Sequence, residues 1–485
     1  MPFITHVYNM LHTRSHTSFA DGGRLVGRVI LGRRPPTASE SRMQTPRTAD
    51  SIDWTAVHRE ALDILRGFLS IDTSNPPGRE AAAARYLGAF LESEGVETRY
   101  IETAPQREIL YARLAGDGSR RGLMLANHLD VVPPEPRYWS TRPFEPVEQE
   151  GRLYGRGALD MKGFAVMQLI ALLLARRQGL PLKRDIVFCA VPDEEALGRY
   201  GMRWLCEQHP ELLEGIEYAL NEGGSGSLEF GERPVFQVAV NEKWVCWMRI
   251  TARGIPGHGG IPSAPGHNPI VRLARAIDRL VTWERPVIMT PETQAWLDRL
   301  IAEGFAWWGT TEARLAHAVG VSGGVAAIFT NTLNVTMAQS GVKANVVPGR
   351  AIATLDCRLL PGQSRDAWRD EVIARIDDPD VRVEFLDGLD TEAPRAASMD
   401  TDFFRTIEAA LTDAIPDAVV VPSITVGGTD NRFLRARGIH AYGLMPVVLS
   451  NPERIGFHGN DEHITLDHLN SGCELTYDIV KRMCT

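Results

Sequence analysis

Three short apolar segments of the chain each end in ionisable side chains. The segments read "GLMLA", "DIVFCAV" and "IEYAL", and helical sequence separates them. They are followed by His128 and Asp130, by Asp193, Glu194 and Glu195, and by Glu222, respectively. Strands that alternate with helices are typical of an α/β fold with a mostly parallel sheet flanked by helices. Because the carboxyl ends of such strands form one edge of the sheet, we expect these side chains to meet there.

The pattern changes after residue 243 and returns after residue 390. In between, the strand-like "WVCWMRITARG" is followed by the helical "IVRLARAIDRLVTW" and then by the strands "TLNVTMAQ" and "RAIATLDCRLLPG". This order favours a smaller α+β domain over residues 244–390. We expect it to be inserted into an α/β domain formed by residues 51–243 and 391–485.

The first fifty residues differ from the rest of the chain. They contain seven arginines against few acidic residues, and their apolar residues follow no clear period. We therefore expect residues 1–50 to be a disordered tail. A transit peptide and a start upstream of Met43 remain open as alternatives.

Composition excludes several classes of partner. A net charge of -9 gives no reason to expect nucleic acid or an acidic membrane. The longest apolar run, "FAVMQLIALLLA", is too short to span a bilayer. The six cysteines show no CxxC spacing, which favours free thiols in a reducing compartment. We expect a cytoplasmic protein that acts on a small-molecule substrate.

A further carboxylate, Asp160, follows the glycine-rich "YGRGAL" and begins a long helix. Imidazole and carboxylate groups without thiolate suit zinc, manganese or cobalt, and two ions sharing a bridging carboxylate would use the whole set. Each residue alone also has a structural interpretation as a capped strand end, an acidic helix N-terminus or a turn. Only their shared edge favours a metal site.

Eight segments of the chain, in order, resemble the aminoacylase-1/carboxypeptidase family of co-catalytic zinc metallopeptidases. This family includes glutamate carboxypeptidase, carboxypeptidase S and N-acyl amino acid amidases. The segments are "NHLDVVP", "GRGALDMKG", "VPDEEALGRYGM", "NEGG", "GIPGHGGIP", "NVVP", "GGTDNRF" and "FHGNDEHI". The resemblance runs from about Trp54 to the C-terminus, and residues 1–50 have no counterpart. It implies a zinc-peptidase-like α/β fold in which residues 244–390 form a dimerisation, or lid, domain.

The resemblance also implies two divalent metal ions, with zinc expected and cobalt or manganese as alternatives. The ligands that it assigns are His128 and Glu195 for one ion, Glu222 and His458 for the other, and Asp160 as the bridge. Asp130 is implied to orient the imidazole of His128. A cis peptide bond is expected between Asp160 and Met161.

The catalytic residues that the resemblance implies are Glu194 and His258. Glu194 would be the general base for amide hydrolysis by a metal-bridged hydroxide. His258 would stabilise the oxyanion from a partner subunit, with His267 as a lower-ranked candidate. This arrangement implies a homodimer or a higher homo-oligomer.

Substrate contacts are implied at Arg432 and Asn334. Arg432 in "GGTDNRF" would bind a free carboxylate, with Arg395 and Arg358 as alternatives, and Asn334 would help to hold the substrate or the oxyanion. The expected substrate is an N-acyl amino acid or a small peptide with a free carboxylate. The aromatic residues Phe305, Trp307 and Trp308 are candidates for an apolar acyl pocket.

Three other functions compete with this hypothesis. A dipeptidase or carboxypeptidase is the nearest alternative, followed by a hydrolase of N-carbamoyl or xenobiotic amides. A non-catalytic interaction protein would be expected to have lost the base or a ligand. Glu194 and all the ligand types are present, which disfavours that last interpretation.

Overall fold

The computed structural model describes residues 52–305, 311–388, 393–449 and 456–485. The tail expected over residues 1–50 and the tryptophans Trp307 and Trp308 lie outside these ranges. The helices are α1 (Trp54–Leu69), α2 (Ala81–Ser93), α3 (Lys162–Arg177), α4 (Met202–Gln208), α5 (Pro269–Val281), α6 (Pro291–Ala302), α7 (Thr311–Val321), α8 (Gly323–Phe329), α9 (Arg365–Ile376), α10 (Asp402–Ala414), α11 (Asn431–Ala436) and α12 (Leu466–Cys484).

The strands form one large sheet and three smaller ones. They are β1 (Glu97–Ala104), β2 (Arg107–Leu114), β3 (Gly122–His128), β4 (Val147–Gln149), β5 (Arg152–Tyr154), β6 (Ile186–Val191), β7 (Ile216–Ser227), β8 (Val235–Glu242), β9 (Trp244–Val245), β10 (Met248–Arg253), β11 (Gly257–His258), β12 (Thr332–Ser340), β13 (Val346–Val347), β14 (Arg350–Leu359), β15 (Val381–Phe385), β16 (Val419–Thr425), β17 (His440–Val448) and β18 (His463–Thr465).

The large sheet has the strand order β1-β2-β6-β3-β7-β17-β8-β16. Four neighbouring pairs are parallel, namely β6 with β3, β3 with β7, β7 with β17, and β8 with β16. Every residue of β3 and β6 is buried, as expected for central strands covered on both faces. The prediction of a mostly parallel sheet flanked by helices is confirmed.

Helices cover this sheet through apolar faces. In α1 the buried positions Val57, Ala61, Leu65 and Phe68 recur every three or four residues, and Asp53 caps the helix by accepting the N–H of Ala56. Helix α3 is buried nearly all round its axis, because α1 and α12 both pack against it. Helix α3, which begins just after Asp160, is therefore firmly fixed in the core.

The largest of the smaller sheets is antiparallel, in the order β12-β14-β10-β15, with β9 paired to β14. Burial alternates along β10 and β14, so one face packs on α5 and α9 and the other faces outward. These elements fall within the predicted insert. Helices α6 and α8, from the same stretch of sequence, instead pack on β16 of the main sheet. The boundaries proposed for the insert stay a prediction.

None of the described helices is both long and apolar enough to cross a membrane.

Candidate metal centre

His128 is the last residue of β3, and its ring is buried. Its Nδ1 lies 2.9 Å from the backbone carbonyl oxygen of Asp130 and 3.6 Å from that residue's carboxylate. We expected the carboxylate to orient this imidazole, but the carbonyl is the closer partner. The Asp130 carboxylate instead accepts the backbone N–H groups of Glu194, at 3.0 Å, and Glu195, at 3.1 Å. Nδ1 as donor leaves Nε2 of His128 facing the site.

The carboxylate of Asp160 lies between two histidines. Its Oδ1 is 3.1 Å from Nε2 of His128, and its Oδ2 is 3.1 Å from Nε2 of His458. The peptide bond between Asp160 and Met161 is cis, as expected. A carboxylate with one oxygen directed at each of two imidazoles has the arrangement needed to bridge two cations.

The remaining carboxylates pair with the histidines in the opposite way to the expectation. Glu222 Oε1 lies 3.5 Å from His128 Nε2, and Glu195 Oε2 lies 3.3 Å from His458 Nε2. Strand β7, which carries Glu222, runs parallel beside β3, so the two side chains leave the same edge together. Glu195 is on a short 3₁₀ turn after β6, and this turn brings its carboxylate beside His458.

Glu222 also differs from its expected position along the chain. It lies within β7 and not just past its end, because β7 continues through the glycines to Ser227. The register of β17 against β7 shifts between Gly443 and Met445, next to this point. The irregular pairing lets a side chain from inside the strand reach the edge of the site.

Burial and crowding shift the ionisation of these groups. Burial raises the pKa of Glu194 well above its usual range, and the charge of Glu222 adds to the effect. Burial, followed by the charge of Asp160, raises the pKa of Glu195 to about 7. Hydrogen bonds to Asp160 and Glu195 raise the pKa of His458 to about 10. Such a cluster must hold protons or bind cations.

The residues present fit a pair of divalent cations. Oε1 of Glu195 is buried and has no hydrogen-bond partner among the described residues, so it is available as a ligand. Ligand atoms of His128, Glu194 and Glu222 lie within 4.8 Å of one another, and so do those of His128, Asp160 and Glu195. Nitrogen and oxygen ligands without thiolate suit zinc, cobalt or manganese.

These groups open into a cavity of ≈ 650 Å³. Glu194, Glu195, Glu222, Asp160 and His458 are among the residues that line it. Most of the remaining lining surface is apolar. Its apolar residues include Val245, Trp247, Val325, Ile328, Ile424 and Val426. Helix α8 supplies two of them because it packs against β16 at the margin of the cavity.

Arg432 and Arg358 both line this cavity. Arg432 is held by the carbonyl oxygens of Thr429, at 2.7 Å, and Leu197, at 3.1 Å. Arg358 is held by the carboxylate of Asp356, at 2.7 and 3.0 Å. Both guanidinium groups are therefore fixed in the wall, whereas the third candidate, Arg395, is exposed and does not line the cavity.

His258 and Asn334 lie away from the cavity of their own chain. His258 is exposed on β11, and its Nδ1 accepts the N–H of Gly260 at 3.0 Å. Asn334 is exposed on β12, and His267 is exposed as well. Phe305 packs beside Arg233 and does not line the cavity either.

Two buried charged residues next to the site, Glu462 and Lys162, were not predicted from the sequence. The carboxylate of Glu462 accepts Nη1 of Arg156 at 2.7 Å and the backbone N–H groups of Gly157, Leu159 and Asp160 at 2.8–3.0 Å. The amine of Lys162 donates to the carbonyl oxygens of Phe68 at 3.1 Å and Ile71 at 2.8 Å. Their signals were a glutamate four residues after His458 and a lysine opening an otherwise apolar helix.

Comparison with known proteins supports the resemblance. The model of peptidase family M20/M25/M40 matches residues 124–482. The N-fatty-acyl-amino acid synthase/hydrolase of Xenopus tropicalis is 26% identical over 427 residues, which cover 84% of this chain and 82% of that protein. Aminoacylase-1 of Sus scrofa is 26% identical over 410 residues, which cover 83% of this chain and 90% of that protein.

A solved structure shares the fold. The M20 family metallo-carboxypeptidase of Sulfolobus solfataricus superposes with a TM-score of 0.68 at 19% identity, covering 87% of this chain and 98% of that one. The family match spans well over half of the chain, and the resemblance seen in the sequence is confirmed. The chain belongs to peptidase family M20/M25/M40 and is a hydrolase of peptide or amide bonds.

Proposed function

We propose that this hydrolase cleaves the amide bond of an N-acyl amino acid that carries a free carboxylate. The observation that carries the proposal is the position of Glu194. This carboxylate belongs to one of two groups of potential metal ligands that share His128, and it lies on the wall of a largely apolar cavity that Arg432 also lines. An acyl chain would contact the apolar wall, and the guanidinium would receive the carboxylate.

Two divalent cations would be held by this chain's own residues. His128 and Glu222 would bind one ion, His458 and Glu195 the other, and Asp160 both. When bound, such ions lower the pKa of a water ligand and polarise the scissile carbonyl. Zinc is the expected metal, with cobalt and manganese as alternatives.

Glu194 would act as general base and then as general acid. Burial raises the pKa of this carboxyl, which makes its carboxylate a stronger base than that of an ordinary glutamate. The leaving amine would receive the proton taken from water as the C–N bond breaks. Asp130 supports this step by holding the backbone of the turn that carries Glu194.

The site would be completed by a second copy of the chain. His258 is exposed, and so are the apolar side chains of Ile255, Ile261, Met337 and Val342 on the same antiparallel layer. Strand β12 is an edge of its sheet, and an exposed apolar edge favours pairing. A homodimer in which His258 and Asn334 serve the partner's cavity accounts for their positions. Mixing His258→Ala with Glu194→Gln protein should then restore activity that neither variant has alone.

A dipeptidase or carboxypeptidase is the second candidate. Glu229 lines the cavity and is the observation that favours it, because a carboxylate there could receive the α-amino group of a peptide. N-carbamoyl and xenobiotic amides would use the same chemistry with other contacts.

We also propose a reducing, cytoplasmic location. All six cysteines are buried as free thiols, which is the usual state in such a compartment.

The test is an assay of the purified protein on N-acyl amino acids, dipeptides and N-carbamoyl amino acids, before and after chelation. We expect the highest kcat/KM for N-acyl amino acids, loss of activity with chelator, and recovery on adding zinc. Glu194→Gln should bind metal normally but lose about 10²- to 10⁴-fold in kcat. Undiminished turnover by Glu194→Gln would rule out the assigned base, and a preference for dipeptides would favour the second candidate.

A further inference from the structure

A buried layer of polar groups lies behind the metal centre. The segment "SNPPG" (Ser74–Gly78) runs alongside the loop that follows β3. The N–H of Asn75 donates to the carbonyl of Val131 at 2.9 Å, and the N–H of Val131 donates to the carbonyl of Thr73 at 3.2 Å. Two backbone hydrogen bonds therefore fix this segment against the residues next to His128 and Asp130.

The side chain of Asn75 joins two buried aspartates. Its Nδ2 donates to the carboxylate of Asp130 at 2.8 Å and to that of Asp193 at 2.9 Å. Asn75 is 4% exposed, and the aspartates are equally buried. One amide group thus joins Asp193, which precedes Glu194 in sequence, to Asp130, which accepts the backbone N–H of Glu194.

Arg107, the first residue of β2, supplies the cation of this layer. Its Nη1 donates to Asp193 at 2.5 Å, and its Nη2 donates to Oδ1 of Asn75 at 2.9 Å and to the carbonyl of Pro77 at 2.7 Å. A Cβ on Gly78 would come within 2.1 Å of the guanidinium, so only glycine allows this close approach. The segment is shaped to hold an arginine in this position.

These contacts converge on the turn that carries Glu194 and Glu195. Asp193 precedes the turn and has the left-handed φ of 74°, which a non-glycine residue adopts only when its surroundings fix it. Its carboxylate receives Arg107, Asn75 and the N–H of Tyr200. Asp130 binds the N–H groups of both glutamates. Asp193 therefore fixes the start of the turn, and Asp130 fixes the backbone of its two glutamates.

We infer that Asn75 and Arg107 are positioning residues that hold the general base and one metal ligand in their working places. Neither lines the cavity, so they act through Asp130 and Asp193 and not by touching substrate. The inference rests on the function proposed above for Glu194. The zinc-binding measurement described below, however, depends only on the placement of Glu195.

The test compares Asn75→Ala, Arg107→Met and Arg107→Lys with a matched control, Arg113→Met. Arg113 is on the same strand and binds Asp185, and neither residue lines the cavity. We expect Asn75→Ala and Arg107→Met to weaken zinc binding by the metal-free protein at one of two sites by about 10- to 100-fold. At saturating metal, kcat should fall while KM stays near the wild-type value. Arg107→Lys should recover part of both losses, because an amine can contact Asp193 but cannot bind Asn75 as well.

Calorimetric zinc titration and thermal unfolding distinguish the outcomes. If Arg107→Met does not fold, Asn75→Ala carries the test, because it removes an uncharged group. The inference is overturned if Asn75→Ala and Arg107→Lys lower only Tm, as Arg113→Met is expected to do, with zinc affinity and kcat unchanged. If zinc affinity falls as expected but no amide is hydrolysed, the positioning role stands and the proposed function fails.

Discussion

The carboxylate of Glu462 accepts the backbone N–H of Asp160 at 3.0 Å, although 302 residues separate them in the chain. The same carboxylate holds Gly157, Leu159 and the guanidinium of Arg156. Nη2 of Arg156 in turn donates to the carbonyl of Gly459, beside His458, at 2.9 Å. One buried ion pair therefore connects the backbone of Asp160 with the loop that carries His458.

We predict that Glu462→Gln weakens metal binding by about 10- to 100-fold. The substituted amide keeps one accepting oxygen and turns an N–H₂ group towards N–H donors, which cannot accept a hydrogen bond from it. The measurement is zinc titration of the metal-free protein, followed by metal analysis after dialysis. Glu474→Gln is the control, because Glu474 is exposed on α12. Equal zinc affinity in the two variants would show that Glu462 serves stability alone.

We predict that Arg432→Met raises KM for an N-acyl amino acid by about 10- to 100-fold, the loss expected for a hydrogen bond between charged groups. The same substrate with a carboxamide in place of its carboxylate should be affected far less. Steady-state kinetics on the two substrates measure the difference. Arg358→Met is the matched comparison, because Arg358 lines the same cavity. A carboxylate-specific loss in Arg358→Met, and not in Arg432→Met, would transfer the role to Arg358.

We predict that Glu80 makes the protein less stable as the pH rises from about 5 to 8. Burial, followed by the charge of Asp130, raises the pKa of Glu80 to about 8, and neither of its carboxylate oxygens has a hydrogen-bond partner among the described residues. In the unfolded chain this carboxyl titrates near its usual value of about 4.3. Between these values only the folded protein retains the proton, so the free energy of unfolding falls by roughly 1.4 kcal/mol per pH unit from this group.

Urea unfolding of the wild type and of Glu80→Gln at several pH values tests this prediction. The amide cannot ionise, so the variant should lose this part of the pH dependence and gain stability relative to the wild type as the pH rises. Parallel pH curves for the two proteins would contradict the assignment of a neutral Glu80 in the folded state.

Local sequence signals predicted the sheet and some members of the candidate site, namely His128, Glu194 and Glu195. The apolar run before His128 and the acidic residues after "DIVFCAV" were sufficient to place them at strand ends, because burial on both faces requires continuous apolar sequence. The cis peptide bond at Asp160 followed from the resemblance and is present. These features depend on short segments of the chain.

The pairing of ligands could not be predicted in the same way. Whether Glu222 or Glu195 lies beside His128 depends on the order β6-β3-β7 and on the direction of the turn after β6. The exposed position of His258 depends on how the paired strands β11 and β13 pack on the rest of the fold. The packing of α6 and α8 on β16 likewise depends on contacts between distant segments. Asn75 and Arg107 were missed because their partners are distant in sequence and the residues themselves belong to no ligand motif.

Strand β17 lies between β7 and β8, which precede it by about two hundred residues, and the loop with His458 follows it. During synthesis, the sheet therefore has a gap between β7 and β8 until β17 and then His458 have emerged. Closure of that gap joins segments far apart in the chain, which is a slow kind of folding step. Hydrolytic activity should accordingly appear late, after the last helix has left the exit tunnel, and the nascent chain should need protection of its open strand edges until then.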